Sequence, residues 1–174
     1  MLVTLYFWSL LGLRLTYAAT INVISASDPS ILYSPGWSQE FFQSTQDSFM
    51  EADGFNCSLS VTLPSNASSV SYVGFQRAGG SMYGYTLDCE NRDCLLQTAN
   101  GSDPTITDDA SVSQSTLFTI ALDPSTQHTL YVYNIPSDQP DGSSQVNLNN
   151  LNVDVSQPGT VVAGTGTWLV QSKL

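Results

Sequence analysis

Apolar and polar residues alternate along much of this chain with a period of two. Leu59, Val61 and Leu63 are separated by Ser60 and Thr62, so one face of that segment is oily and the other wet, which is the signature of a β-strand. Pro64-Ser65-Asn66 stops the run. Val70 to Phe75, rich in β-branched and aromatic residues, predicts a second strand. Ala78-Gly79-Gly80 breaks it, and Tyr83, Tyr85 and Leu87 predict a third. These three runs read as a hairpin-linked core.

The flanking segments extend the pattern. Thr20 to Ile24 predicts a first strand, followed by a turn at Ser27-Asp28-Pro29-Ser30, a short run Ile31-Leu32-Tyr33 and a corner at Ser34-Pro35-Gly36-Trp37. In Ser38 to Asp53, Phe41, Thr45 and Phe49 fall at helical spacing. Phe42 and Met50 widen that stripe and no strong cap follows, so the expectation is an irregular crossover with a brief strand. Gln97 to Ser113 is polar with turn signals and predicts a long loop with one extended piece near Ile106. Leu117 to Leu122 turns Phe118, Ile120 and Leu122 to one side, and His128 to Tyr133 alternates after the turn Asp123-Pro124-Ser125-Thr126; that pair reads as a hairpin. Ser137 to Ser144 is a loop. Late in the chain Val146 and Leu148 share one parity and Leu151, Val153 and Val155 the other, which predicts a bulge near Asn149-Asn150. Many short strands without a long helical pattern predict an all-β fold, an antiparallel β-sandwich or jelly roll.

A length of 174 residues suits one domain. The expected division is a leader at residues 1–19, a sandwich over 20–156 and a tail at 157–174. Charged residues make up 11 % of the chain and the formal net charge is −11, with Arg14, Arg77, Arg92 and Lys173 its only Lys and Arg. Binding to nucleic acid or to an anionic membrane surface needs clustered cations, so neither is an expected partner.

The apolar run in MLVTLYFWSLLGLRLTYAA, ending in small residues, fits a secretory signal peptide cut near Ala18 or Ala19. Arg14 interrupts it well short of the ~20 residues that a membrane span needs. Export gives meaning to three sequons, at Asn56, Asn66 and Asn100, of which Asn66 and Asn100 lie in turn-like segments. It also puts the three cysteines in an oxidising compartment. Cys89 and Cys94 bracket a short polar turn and are the favoured disulfide, with Cys57 to Cys89 as the rival. The thiols lack zinc-site spacing.

The order of motifs resembles a group of secreted or membrane-anchored fungal proteins, largely uncharacterised, with a galactose-binding-like β-sandwich similar to carbohydrate-binding modules. The matching residues are Asp28-Pro29-Ser30-Ile31-Leu32-Tyr33-Ser34-Pro35-Gly36-Trp37 at the start, then Ser69 to Gly74 followed by Tyr83 to Asp88 in the centre. Gln127-His128-Thr129-Leu130 and Leu151 to Val155 match towards the end. Two features depart from the group. Asn66-Ala67-Ser68 stands where a glycine is common, and the transmembrane helix that often follows in the group is missing, so the resemblance implies either a released protein or a chain cut before its anchor. Kinship and fold together imply carbohydrate binding through loops at one end of the sheets.

Sugar recognition needs exposed aromatic faces for the apolar side of a ring and amides, carboxylates or Arg for its hydroxyls. Tyr33, Arg77, Tyr83, Tyr85 and Asn91 are the candidates, with Trp37, Asp88 and Arg92 nearby; Trp37 is expected to plug the core. Asp88, Glu90 and Asp93, or Asp103, Asp108 and Asp109, carry oxygen ligands but no EF-hand spacing, so solvated loop acids are the expectation, with no metal or other cofactor. No GxSxG elbow is present, and the single histidine, His128, reads as a strand residue and not a general base. A non-enzymatic extracellular module that binds carbohydrate is the first expectation. A structural or adhesive ectodomain that meets a protein through a sheet face or edge is the second.

Overall fold

The computed structural model describes residues 19–42, 47–54, 56–90, 94–107, 112–135 and 144–156. Its strands are β1 (Ala19–Ser25), β2 (Ile31–Tyr33), β3 (Trp37–Phe41), β4 (Ser48–Asp53), β5 (Ser58–Thr62), β6 (Ala67–Phe75), β7 (Met82–Leu87), β8 (Gln97–Asn100), β9 (Gln114–Ala121), β10 (Thr129–Ile135), β11 (Gln145–Leu148) and β12 (Asn150–Ser156). They build a four-stranded sheet in the order β1-β12-β6-β9, a five-stranded sheet β2-β5-β10-β7-β8 and a three-stranded sheet β11-β4-β3. Every pairing between these strands is antiparallel. The chain is an all-β jelly-roll sandwich.

Alternation decides what goes inside. Leu59, Val61, Leu130 and Val132 from the five-stranded sheet meet Val70, Tyr72, Leu151 and Val153 from the four-stranded one, and all of them are buried in one core cluster. Phe118 and Leu122 join that cluster, with Ile120 packed against it. Burial at ~25 cal/mol per Å² makes each of these side chains worth roughly 1.5–3 kcal/mol.

Strand partnership differs from the sequence expectation, because periodicity reports which face is buried and not which strand lies alongside. β5 and β7 flank β10, whereas β6 lies in the opposite sheet between β12 and β9. The three central runs therefore cross from sheet to sheet instead of forming hairpins. The same holds for β9 and β10, which belong to different sheets. Residues 38–53, expected as a crossover, carry most of the antiparallel pair β3 and β4, with Phe41 opposite Ser48. Phe49 stacks on Phe42 and Phe75 meets Phe42 edge-on, whereas Phe41 is exposed, so the aromatic cluster is built from Phe42 and Phe49 and not from the helically spaced pair Phe41 and Phe49. The long polar segment contains β8, paired with β7, while Ile106 sits in a turn whose N–H bonds the Asp103 carbonyl. The parity change near Asn149 is a change of sheet: β11 pairs with β4, and one residue later β12 pairs with β1 and β6.

The three sheets meet at Asn147, which is fully buried in β11. Its side-chain Oδ1 accepts the Phe75 N–H at 2.7 Å and its Nδ2 donates to the Phe75 carbonyl at 3.1 Å, so the amide imitates one rung of a ladder to β6. Its backbone N–H donates to the Tyr83 hydroxyl at 2.8 Å, and its carbonyl accepts from the Tyr72 hydroxyl at 2.9 Å. Gly74 makes this approach feasible, because a Cβ there would lie 2.7 Å from Asn147 Oδ1. A second buried set surrounds Asn134, whose Nδ2 donates to the carbonyls of Gly54 and Ser144 while its Oδ1 accepts from the Ser144 hydroxyl.

One clamp ties the end of β7 to the start of β10. Asp88, in the left-handed region at φ 57°, accepts the Thr129 N–H through Oδ1 at 2.7 Å, and its Oδ2 lies 2.6 Å from His128 Nδ1. The other ring nitrogen of His128 faces the Asp123 carbonyl and the Thr126 hydroxyl. The bond to Asp88 raises the His128 pKa above its ordinary 6.5. Burial works against ionisation of Asp88, but the bonds from His128 and Thr129 outweigh it and hold the carboxyl below its usual value.

Two outcomes are expected. Asn147→Ala strands the buried N–H and C=O of Phe75 and is expected to cost roughly 2–4 kcal/mol in urea unfolding, with Gly74→Ala costing roughly 1–3 kcal/mol through the clash. The folded chain holds the His128 proton more tightly than the unfolded chain. Its contribution is therefore full below about pH 6.5 and lost as pH rises through the higher folded value. Thermal melts of the native protein should fall across that range more steeply than those of His128→Gln, and parallel pH profiles would refute the clamp.

Candidate functional site

The outer face of the four-stranded sheet is set by the wet positions of its strands. Val23 of β1 lies opposite Asn152 of β12, which lies opposite Ser71 of β6, which lies opposite Thr119 of β9. The next rank runs Ser25, Asn150, Val73 and Thr116. Hydroxyls and amides on this face bond to each other: Ser71 with Thr119 at 2.9 Å, Ser69 to Asp154 at 2.6 Å and Asn150 Nδ2 to Asn152 Oδ1 at 2.8 Å.

At the Asn150 end this face becomes a groove of about 530 Å³. Its floor is Val23, Ser25, Asn150, Asn152 and Val73, Gln114 closes one side, and Asp47, Ser48 and Asn149 form a wall from the three-stranded sheet and the junction after β11. Asn149 Nδ2 reaches the Ser48 carbonyl at 3.4 Å and so ties the junction to β4 within the wall. The Asn150 to Asn152 bond uses one end of each amide and leaves Asn150 Oδ1 and Asn152 Nδ2 for another partner. The groove thus offers planar amides, hydroxyls and one carboxylate around two small apolar patches. Such a lining presents hydrogen-bond donors and acceptors that can meet hydroxyl groups. Among the described residues no aromatic ring lines it.

The residues expected to hold a ligand lie elsewhere. Tyr83 has no exposed surface, its ring lying edge-on to Tyr72, and burial raises its pKa. Tyr85 is 9 % exposed and stacks on Phe118 at 4.0 Å with the rings nearly parallel. Both side chains point into the sandwich, since β7 is a central strand whose inward parity they occupy, and the expectation that their faces meet a sugar is corrected. Tyr33 is half-buried against Trp37, donates its hydroxyl to the Ala26 carbonyl at 2.8 Å, and has its pKa raised by burial. Trp37 packs on the core, as expected, with its indole N–H on the Ser58 carbonyl at 3.0 Å. Arg77 forms an ion pair with Glu51, both side chains mostly buried; burial raises the Glu51 pKa and the guanidinium beside it opposes the rise. Asn91 falls outside the described residues, as do Arg92, Asp93, Asp108, Asp109, the expected leader up to residue 18 and the tail from 157.

Of the other candidates, Cys89 and Cys94 form the disulfide and Cys57 is a buried free thiol. Asn56, Asn66 and Asn100 are all exposed. His128 has both ring nitrogens engaged, and Asp103 is held by Thr105, which lowers its pKa. Among the described residues no cluster of three or more His, Cys, Asp or Glu is arranged to hold a metal ion. The groove residues went unnoticed in the sequence because isolated Asn, Ser and Gln on wet strand positions look like ordinary solvated surface.

No family model matches the chain, and no curated protein does. Solved structures do match its fold. The C-terminal CBM6 of LamC, a marine laminarinase from Zobellia galactanivorans, superposes with a TM-score of 0.50 at 10 % identity, covering 77 % of this chain and 98 % of that one. A family two carbohydrate esterase from Cellvibrio japonicus gives 0.50 at 18 % identity, covering 83 % of this chain and 37 % of the esterase. A two-domain esterase active on acetylated mannans gives 0.51 at 10 % identity over 80 % and 38 %. This chain spans little more than a third of either esterase but nearly all of the CBM6. The likeness is one of fold: a jelly-roll sandwich of the kind that forms whole carbohydrate-binding modules.

Proposed function

We propose that this protein is an extracellular, non-catalytic module that binds carbohydrate in the groove on the outer face of its four-stranded sheet. The observation that carries the reading is the convergence of Asn149, Asn150, Asn152 and Gln114 with Ser25, Ser48 and Asp47 around one open groove. The fold it shares with a CBM6 supports it. Planar amides donate and accept in one plane, which suits vicinal hydroxyls, and an open groove admits an internal stretch of a polymer. Without an aromatic platform the binding energy comes from hydrogen bonds exchanged with water, so affinity per module is weak, on the order of 1 mM.

The second reading, a protein contact through a sheet edge, has one observation in its favour. Ile21 and Val23 are 63 % and 59 % exposed on β1, an edge strand of the four-stranded sheet. Among the described residues the other exposed large apolar side chains, Leu32, Phe41 and Leu95, lie outside β1.

Export and glycosylation belong to this proposal. Asn66 stands in the turn before β6, and its carbonyl accepts the Ser156 N–H at the far end of β12 from the groove, roughly 20 Å away along a seven-residue strand. A glycan there leaves the groove open.

In affinity electrophoresis through gels containing xylan, mannan, β-1,3-glucan or galactan, at least one polysaccharide should retard the protein, and Asn152→Ala should weaken that retardation about five- to tenfold. Retention unchanged in the variant would remove the groove from the reading, and free migration in every gel would remove the sugar. Protein secreted from a eukaryotic host should lose mass on enzymatic deglycosylation, and Asn66→Gln should lose part of that shift; a secreted protein of unglycosylated mass would refute glycan attachment.

A further inference from the structure

Resting on the groove as a sugar site, we infer that it selects uncharged saccharide chains and rejects uronate- or sulfate-bearing ones. Among the described residues the groove holds a carboxylate, Asp47, and no Lys, Arg or His. A second carboxylate, Asp154, stands on the same sheet face two residues beyond Asn152, its Oδ2 held by Ser69. Among the described residues Arg77 is the one Lys or Arg, and its guanidinium is spent on Glu51 in the interior, with 15 % of the side chain exposed. His128 lies immediately before β10, a strand of the five-stranded sheet, against Asp88. An anionic sugar entering the groove would meet neutral amide and hydroxyl donors only, beside like charge, on a chain of net charge −11.

The physical consequence is an asymmetry. Neutral hydroxyls exchange hydrogen bonds with Asn149, Asn150, Asn152 and Gln114 at small net cost, since every donor or acceptor released from water finds a counterpart. A carboxylate or sulfate gives up far stronger hydration, for which the groove returns no cation. It also meets the Asp47 field, worth ~1 kcal/mol at 4 Å even in bulk water and more beside a protein wall. Added salt screens the second contribution and leaves the first, because the Debye length shrinks from ~30 Å at 0.01 M to ~3 Å at 1 M.

The test compares each neutral polysaccharide with its own carboxymethylated derivative, so that backbone and linkage stay constant. Xylan, mannan, β-1,3-glucan and galactan are run in both forms against the full chain, by affinity electrophoresis or calorimetry, at 10 and 500 mM NaCl. Selection predicts that the derivative of any polymer that binds is bound at least tenfold more weakly at 10 mM NaCl. The gap should narrow at 500 mM, and Asp47→Asn should narrow it at low salt, read as the ratio of charged to neutral binding by that variant. Equal or tighter binding of a carboxymethylated polymer at low salt overturns the selection while leaving a sugar-binding groove in place. A gap indifferent to both salt and Asp47→Asn overturns the electrostatic cause. Failure of every polymer, neutral and charged, overturns the sugar site itself and this inference with it.

Discussion

The buried amide of Asn147 is where the architecture is decided. A sandwich of two sheets needs only oily faces, but this chain must also fasten a third sheet, β11-β4-β3, onto the other two. Asn147 does so with both ends of its side chain on the Phe75 backbone of β6 and with its own backbone on the hydroxyls of Tyr72 and Tyr83. Each of these groups is out of water, so each needs its partner, and the penalty for losing one is larger than the gain from making one. A hydrophobic residue at 147 would allow β11 to slide along β6. The amide permits one register, and the absence of a side chain at Gly74 allows the strands to approach closely enough to use it.

That fixed register has a consequence one residue further on. Because β11 is pinned to β4 and β12 must reach β1 and β6, the chain changes sheet at Asn149, and the junction brings a wall from one sheet against the floor of another. The groove exists at that seam. Asn149, Asn150 and Asn152 are thus placed by the same step that places Asn147, and the groove is backed by the core behind it.

How much of this the residues disclose follows from what each signal encodes. Burial parity is local, so Leu59, Val61, Leu130 and Val132 were readable as core and the shift of parity at Asn149 was readable as a break. The short Cys89 to Cys94 loop was readable because few conformations separate its ends. Partner choice is not local: β6 finds β12 and β9 across long stretches of chain, and nothing in Val70 to Phe75 says so. The candidate site suffered twice. Tyr83 and Tyr85 looked like sugar platforms because a tyrosine's amphipathic ring fits surface and core alike, and only the centrality of β7 shows which applies. The amides of the groove look like ordinary wet positions: Asn149, Asn150 and Asn152 are neighbours in sequence, but their meeting with Gln114 of β9 depends on pairings across the sheet.

Cys57 shows what the fold must accomplish before it is complete. Its sulfur lies beneath Pro35 and Gly36, in contact with the Pro35 carbonyl, and burial followed by the nearby Asp53 charge pushes its thiol pKa up. A thiol that is both covered and reluctant to ionise is a poor nucleophile for exchange. In an unfolded chain all three sulfurs can meet, although the short loop favours Cys89 with Cys94 over either pairing with Cys57. Seating of Cys57, just before β5, beneath the 34–37 corner therefore withdraws one sulfur from exchange with the Cys89–Cys94 pair once the sheet has closed over it.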